Sequence, residues 1–204
     1  MKGILMKKLF AFMAVMAAMT AVSNVSAQTR FSLGAGAAVN MYHISENAEK
    51  SVKSAPGLSL DFEADFALKG NFSLSAGAGF AGVAGYHFGG NKKMNLGEIY
   101  LDIPLRAKYH IPFNPGTNLY FFAGVVPNIC LVSIDAHSSG TKSFFNTIPT
   151  LRRAGVMLGG GVGMEIIDHI RLSVAYDHDL IDKVGAADVS CRRGAVKVVA
   201  YYIF

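Results

Sequence analysis

Asp177-His178-Asp179 sets an imidazole between two carboxylates, residue types that could hold a metal ion. Zinc takes three or four such ligands, so a loop residue such as His137 or Asp188 would have to complete the set. Successive residues of a strand point to opposite faces, which leaves only Asp177 and Asp179 on one side. No metal or cofactor is therefore assigned. Gly159-Gly160-Gly161-Val162-Gly163 has the glycine density of a phosphate-cradling loop. Such a loop needs a strand before it and a helix after it. Here Met164-Glu165-Ile166 continues an alternating strand, so the glycines read as bending or close backbone packing. Covalent catalysis needs a nucleophile beside a base. His87, His137, His178 and several serines qualify by type, none lies in a recognisable motif, and the chain is not expected to be an enzyme.

The segments that carry these residues alternate with period two. In residues 58–68 every even position is apolar, while Ser59, Asp61, Glu63 and Asp65 take odd positions. A helix would mix the two sets around its circumference; a strand separates them onto two faces. Residues 97–111 repeat the pattern with Glu98, Asp102, Arg106, Lys108 and His110 on the polar face. Residues 30–42, 72–86, 118–131, 153–167, 171–176 and 195–204 bring the set to eight. The turns at 69–71, 112–117 and 168–169 are short. The connections at 43–55, 88–96, 133–152 and 181–194 are longer and polar. Short turns at one end and long loops at the other describe an outer-membrane barrel. The expected fold is all-β: a closed, antiparallel, up-and-down transmembrane barrel of about eight strands.

Residues 1–27 read as a cleaved signal peptide, leaving residues 28–204 as the barrel domain. Lys2, Lys7 and Lys8 form its basic end, residues 9–22 its apolar stretch, and Val25-Ser26-Ala27 its cleavage site. A retained anchor is the alternative, and Met6 competes with Met1 as the initiator. Without the three lysines, 16 of the 19 basic residues face 14 acidic ones, a net charge of +2. The basicity is thus largely a targeting feature, and no nucleic-acid partner follows from it. Export permits a disulfide between Cys130 and Cys191, but a single pair is weak evidence for one, and bare thiols are the expectation.

At the end of the chain Val196, Val198, Ala200, Tyr202 and Phe204 alternate. A terminal Phe204 with Tyr202 two residues earlier resembles the signal read by the barrel assembly machinery. The stretch Ile99-Tyr100-Leu101-Asp102-Ile103-Pro104-Leu105-Arg106-Ala107-Lys108-Tyr109 resembles the "L-x-I-P-L-x-x-K-Y" strand of the Bacteroidetes outer-membrane β-barrel family, which includes PorT-like proteins. Residues 159–165 and 170–176 resemble the same family. Membership implies the barrel and its location; the PorT role in secretion does not transfer.

Asp61, Glu63 and Asp65 are expected to form a lumen network with Arg106 and Lys108, joined by Glu98 and Asp102. One strand intervenes, a gap of roughly 10 Å that long basic side chains largely span. Unpaired buried charge would be prohibitive. The network makes either a structural plug or the lining of a narrow pore. Pro104 and Pro127 each remove a ladder hydrogen bond and are expected at bulges. In the longest loop, Phe144, Phe145, Arg152 and Arg153 could contact a protein partner or lipopolysaccharide, or fold over the barrel mouth. Outer-membrane lipid is the expected surroundings. A small pore or secretion accessory is the competing function, and a soluble lipocalin-like barrel with the faces reversed is a third reading.

Overall fold

The computed structural model describes residues 29–46, 49–88, 94–137, 140–143, 145, 151–166, 169–185 and 189–204, with some side chains near the strand ends left out. The expected signal peptide lies outside these residues. Ten strand segments follow in order: β1 (Thr29–Glu46), β2 (Glu49–Ala67), β3 (Phe72–Phe88), β4 (Met94–Asp102), β5 (Leu105–Asn114), β6 (Thr117–His137), β7 (Gly140–Ser143), β8 (Ala154–Ile166), β9 (Ile170–Asp179) and β10 (Val189–Ile203). Every pairing is antiparallel, and β1 pairs with both β2 and β10, which closes the sheet. β4 and β5 occupy one place between β3 and β6, and β7 lies beside the end of β6 beyond β8. The ring therefore has eight staves.

The prolines are accommodated differently from the sequence expectation. Asp102 pairs with Gly79 and Leu105 with Ala76, so register runs through the Ile103-Pro104 break without a slip. The Pro104 carbonyl still accepts from the Gly77 N–H at 2.9 Å, and the Pro127 carbonyl from the Ile103 N–H at 2.8 Å. Each proline forfeits only its own donor. The irregularities fall elsewhere, between Ile99 and Tyr100, between Ala84 and Tyr86, and between Pro112 and Asn114.

The polar stretches expected as long loops are in large part strand. β1 and β2 stay paired out to Glu46 and Glu49, β4 starts at Met94, β6 runs to His137 and β10 starts at Val189. Backbone pairing needs no apolar face, so it continues past the point where alternation fades. At the other rim the turns are tight. Gly70 and Gly116 have φ of 77° and 78°, a left-handed conformation that glycine adopts without steric cost.

Alternation sorts the residues as a membrane barrel requires. Leu33, Leu58, Leu60, Phe80, Leu158 and Val198 face outward and are exposed, while Ser59, Asp61, Glu63 and Asp65 point into the lumen. The faces are thus opposite to those of a lipocalin-like barrel. On β1 the outward apolar row runs from Phe31 to Met41. Ten residues span about 33 Å of strand, which a tilt of roughly 40° projects onto about 25 Å, the height of a lipid-facing belt.

Candidate functional site: a lumen packed with ion pairs

The lumen follows from parity. Inward positions of β2, β5, β8 and β9 meet in the half nearer the tight turns. There the Arg171 guanidinium lies 3.3 Å from Glu63, 2.5 Å from Asp65 and 3.0 Å from Glu165. The Lys108 ammonium sits 2.7 Å from both Glu63 and Asp65, and Arg30 reaches Glu165 at 2.8 Å. Three cations thus face three carboxylates. The Tyr120 ring lies beneath Lys108 and Arg171, at 5.3 and 5.4 Å. Arg171 and Lys108 are fully buried, where unpaired charge would cost several kcal/mol each.

A second layer occupies the middle. Arg106 donates to both oxygens of Asp177 at 3.0 and 2.9 Å, and Lys197 to Asp102 at 2.7 Å. Asp61 accepts from the Ser59 hydroxyl at 2.8 Å. The Arg193 guanidinium stacks 3.7 Å from the centre of the Tyr100 ring and lies 3.9 Å from Asp102. A cavity of about 40 Å³ between Asp61, Arg106, Lys197 and Tyr201 has room for ordered water.

The third layer closes the far rim around Glu98. Tyr42, Tyr100 and Ser133 donate to its carboxylate, the last two at 2.6 and 3.3 Å. Lys183 adds contacts of 3.2 and 3.1 Å from the connection between β9 and β10. That connection is strapped down. The Arg152 N–H donates to the Lys183 carbonyl at 2.7 Å, the Lys183 N–H to the Cys191 carbonyl at 2.8 Å, and Leu151 bridges to Val184. Just outside, Asp182 accepts from Arg192 and Ser190, and the Arg192 hydrogen bonds hold its carboxyl below the usual range.

The sequence-derived residues divide among these layers. Lys108 meets Glu63 and Asp65. Arg106 turns to Asp177 instead, and Glu98 and Asp102 belong to other layers. Arg171, Glu165 and Lys197 stand at inward positions of the expected strands; Asp177 and Arg193 lie just past the strands expected at 171–176 and 195–204, and Lys183, on a loop, carries no such signal. Phe145 packs partly buried against a mouth cluster of Tyr42, Ala55, Ala81, Val83, Tyr100 and Cys130, with Arg153 4.1 Å above its ring, while Arg152 is exposed. Phe144, Asp188 and the His87 and His137 side chains lie outside the description. Tyr202 and Phe204 sit edge to face at 5.3 Å on the exposed surface of the turn rim. Cys130, within that cluster, and Cys191, packed against it, are free thiols. Among the described residues no group of three or more ligands is placed to hold a metal.

A closed, outward-apolar barrel of this kind has known counterparts. The family model for the outer membrane protein beta-barrel domain matches residues 9–204. The chain belongs to that family. It is accordingly a protein of the bacterial outer membrane, in contact with its lipid. A comparison with curated proteins found no match. Among solved structures, Neisserial surface protein A is 16% identical, with a TM-score of 0.52 over 84% of this chain and 96% of its own. The outer membrane enzyme PagL is 13% identical, with a TM-score of 0.51 over 84% and 98%. Ail, the attachment invasion locus protein of Yersinia pestis, is 15% identical, with a TM-score of 0.50 over 87% and 99%. At such identities these likenesses establish the fold of this family member.

Proposed function

We propose that this barrel is a sealed structural scaffold that holds strand extensions beyond the membrane for contact with a partner. The observation that carries the reading is the lumen, occupied by paired charges along its length and covered by Lys183. In this reading residues 1–27 are a signal peptide, and residues 28–204 form the barrel. The tight turns and the first and last residues of the barrel face the periplasm, and the far rim faces outward. Tyr202 and Phe204 serve recognition by the barrel assembly machinery, lipopolysaccharide surrounds the outer half, and the Ile99–Tyr109 stretch supports a PorT-like subfamily. The role is non-enzymatic.

One feature favours the competing transport reading. A cavity of about 520 Å³ opens at the turn rim, lined by Arg30, Ser73, His110 and Glu165 among others. Conductance across planar bilayers separates the two. A sealed scaffold gives no steady steps, and Lys183→Met changes little because the two deeper layers remain. Steady steps from the unaltered protein would establish the pore instead.

A further inference from the structure

On the outer wall, at the far edge of the apolar belt, β1, β10 and β9 bring together His43, Arg192, His178 and Tyr176. All four occupy outward positions. His43 is registered with Arg192, and His178 with Gly194. β1 and β9 are two strand spacings apart, about 10 Å, yet the His43 and His178 rings approach to 5.6 Å between centroids. They meet over β10 because Gly194 presents no side chain. A Cβ there would stand 2.9 Å from the Tyr176 hydroxyl and 3.4 Å from His178 Nδ1. The Tyr176 hydroxyl lies 3.3 Å from that same Nδ1. With the hydroxyl donating to Nδ1, the imidazole proton sits on Nε2 and faces away from the tyrosine. Arg192 is half exposed and held from the loop side by Asp182 at 3.1 Å. Lys50 is exposed on the neighbouring outward face of β2.

We propose that this cluster is a binding site for the phosphate group of a lipid seated in the outer leaflet. Its position carries the assignment. Immediately below it the outward residues Val39, Val174, Val196 and Val198 are exposed and apolar, the surface acyl chains cover. A lipid whose chains lie on that surface carries its phosphate at the height of the histidines. Imidazole N–H and guanidinium donors on one patch suit a tetrahedral oxyanion. Asp182 offsets part of the charge of Arg192, so the two imidazoles carry most of the recognition. The site rests on the outward orientation of the far rim.

The test is lipid retention by the purified full barrel, read by native mass spectrometry. The probes are bis-phosphorylated lipid A, the same lipid dephosphorylated, and inorganic phosphate. The phosphorylated lipid should be retained at least tenfold better than the dephosphorylated one, and His43→Gln with His178→Gln should cut that preference roughly tenfold. The double variant should still show the folded band that shifts on boiling. Inorganic phosphate at equal concentration should not displace the lipid. Equal retention of the two lipids, an unchanged preference in the double variant, or displacement by free phosphate would overturn the assignment. Labelling of Lys50→Cys on intact cells reads the orientation separately.

Discussion

Arg171→Met removes the central cation of the inner layer while keeping most of its length. Arg30, Lys108 and Arg171 balance Glu63, Asp65 and Glu165. The substitution leaves three buried carboxylates against two cations. Removing one partner of a buried ion pair costs about 3–5 kcal/mol, chiefly because the other charge stays buried and uncompensated. Loss of the Tyr120 and Tyr201 faces, 5.4 and 5.8 Å from the guanidinium, adds about 0.5–1 kcal/mol. Charge balance and contact number are separated by a second variant. Arg171→Met with Asp65→Asn restores two cations against two carboxylates and should recover about half the loss or more. Urea unfolding of the barrel in lipid vesicles, followed by the band shift on boiling, measures both. A single variant within about 1 kcal/mol of the parent would mean that the layer behaves like hydrated surface pairs. A double variant as unstable as the single one would equally refute the argument.

Three further substitutions probe other parts of the structure. Leu60 is 60% exposed on the outward face of β2; Leu60→Arg should cost about 2–4 kcal/mol in lipid vesicles, near the value for a charge at the bilayer midplane, and a neutral result would contradict a lipid-facing wall. A Cβ on Gly161 would stand 2.0 Å from the Val174 carbonyl oxygen and 2.7 Å from the Phe122 ring. Gly161→Val should therefore yield no heat-modifiable band, and a normal band would show that β8 and β9 can separate. Because Asp182 titrates below its unfolded value, its contribution is present above the unfolded pKa of about 3.9 and is lost as pH falls through the folded one. Limited proteolysis of the 180–194 segment should accelerate on acidification through that window. Asp182→Asn should show the faster cleavage already at neutral pH, and an unchanged rate would detach the pair from loop order.

Alternation was legible because one face meets lipid and the other does not, a contrast that every second residue records. It located all eight staves and the inward parity of Asp61, Glu63, Asp65, Arg106 and Lys108. It lost the far ends of β1, β2, β6 and β10, where polar residues stand on both faces and apolar ones such as Ile44, Ala55 and Cys191 form no unbroken alternating row. It also misassigned Arg106. Adjacent staves are distinguishable in sequence, but contacts across a lumen depend on stagger, which brings Asp177 on β9 to Arg106 on β5. Lys183 was invisible because its place is fixed by backbone bonds from Arg152 and Cys191, not by any pattern of its own.

The charged lumen gives the barrel one register more than it gives it stability. A slip of one residue in β2 would turn Asp61, Glu63 and Asp65 outward into lipid and bring Leu58, Leu60 and Phe62 inward. Polar alternation alone guards against that error. A slip of two residues preserves both faces, so alternation is blind to it. It would move Asp65 about 6.6 Å along the strand. Lys108 and Arg171 both hold Asp65, at 2.7 and 2.5 Å, and both also hold Glu63. A slip toward the turns would put Glu63 and Asp61 in the places of Asp65 and Glu63 and carry Asp65 past both cations, whereas the opposite slip would put Ala67 where Asp65 stood and leave Lys108 and Arg171 one carboxylate short. The ion pairs therefore discriminate between registers that hydrophobicity cannot tell apart.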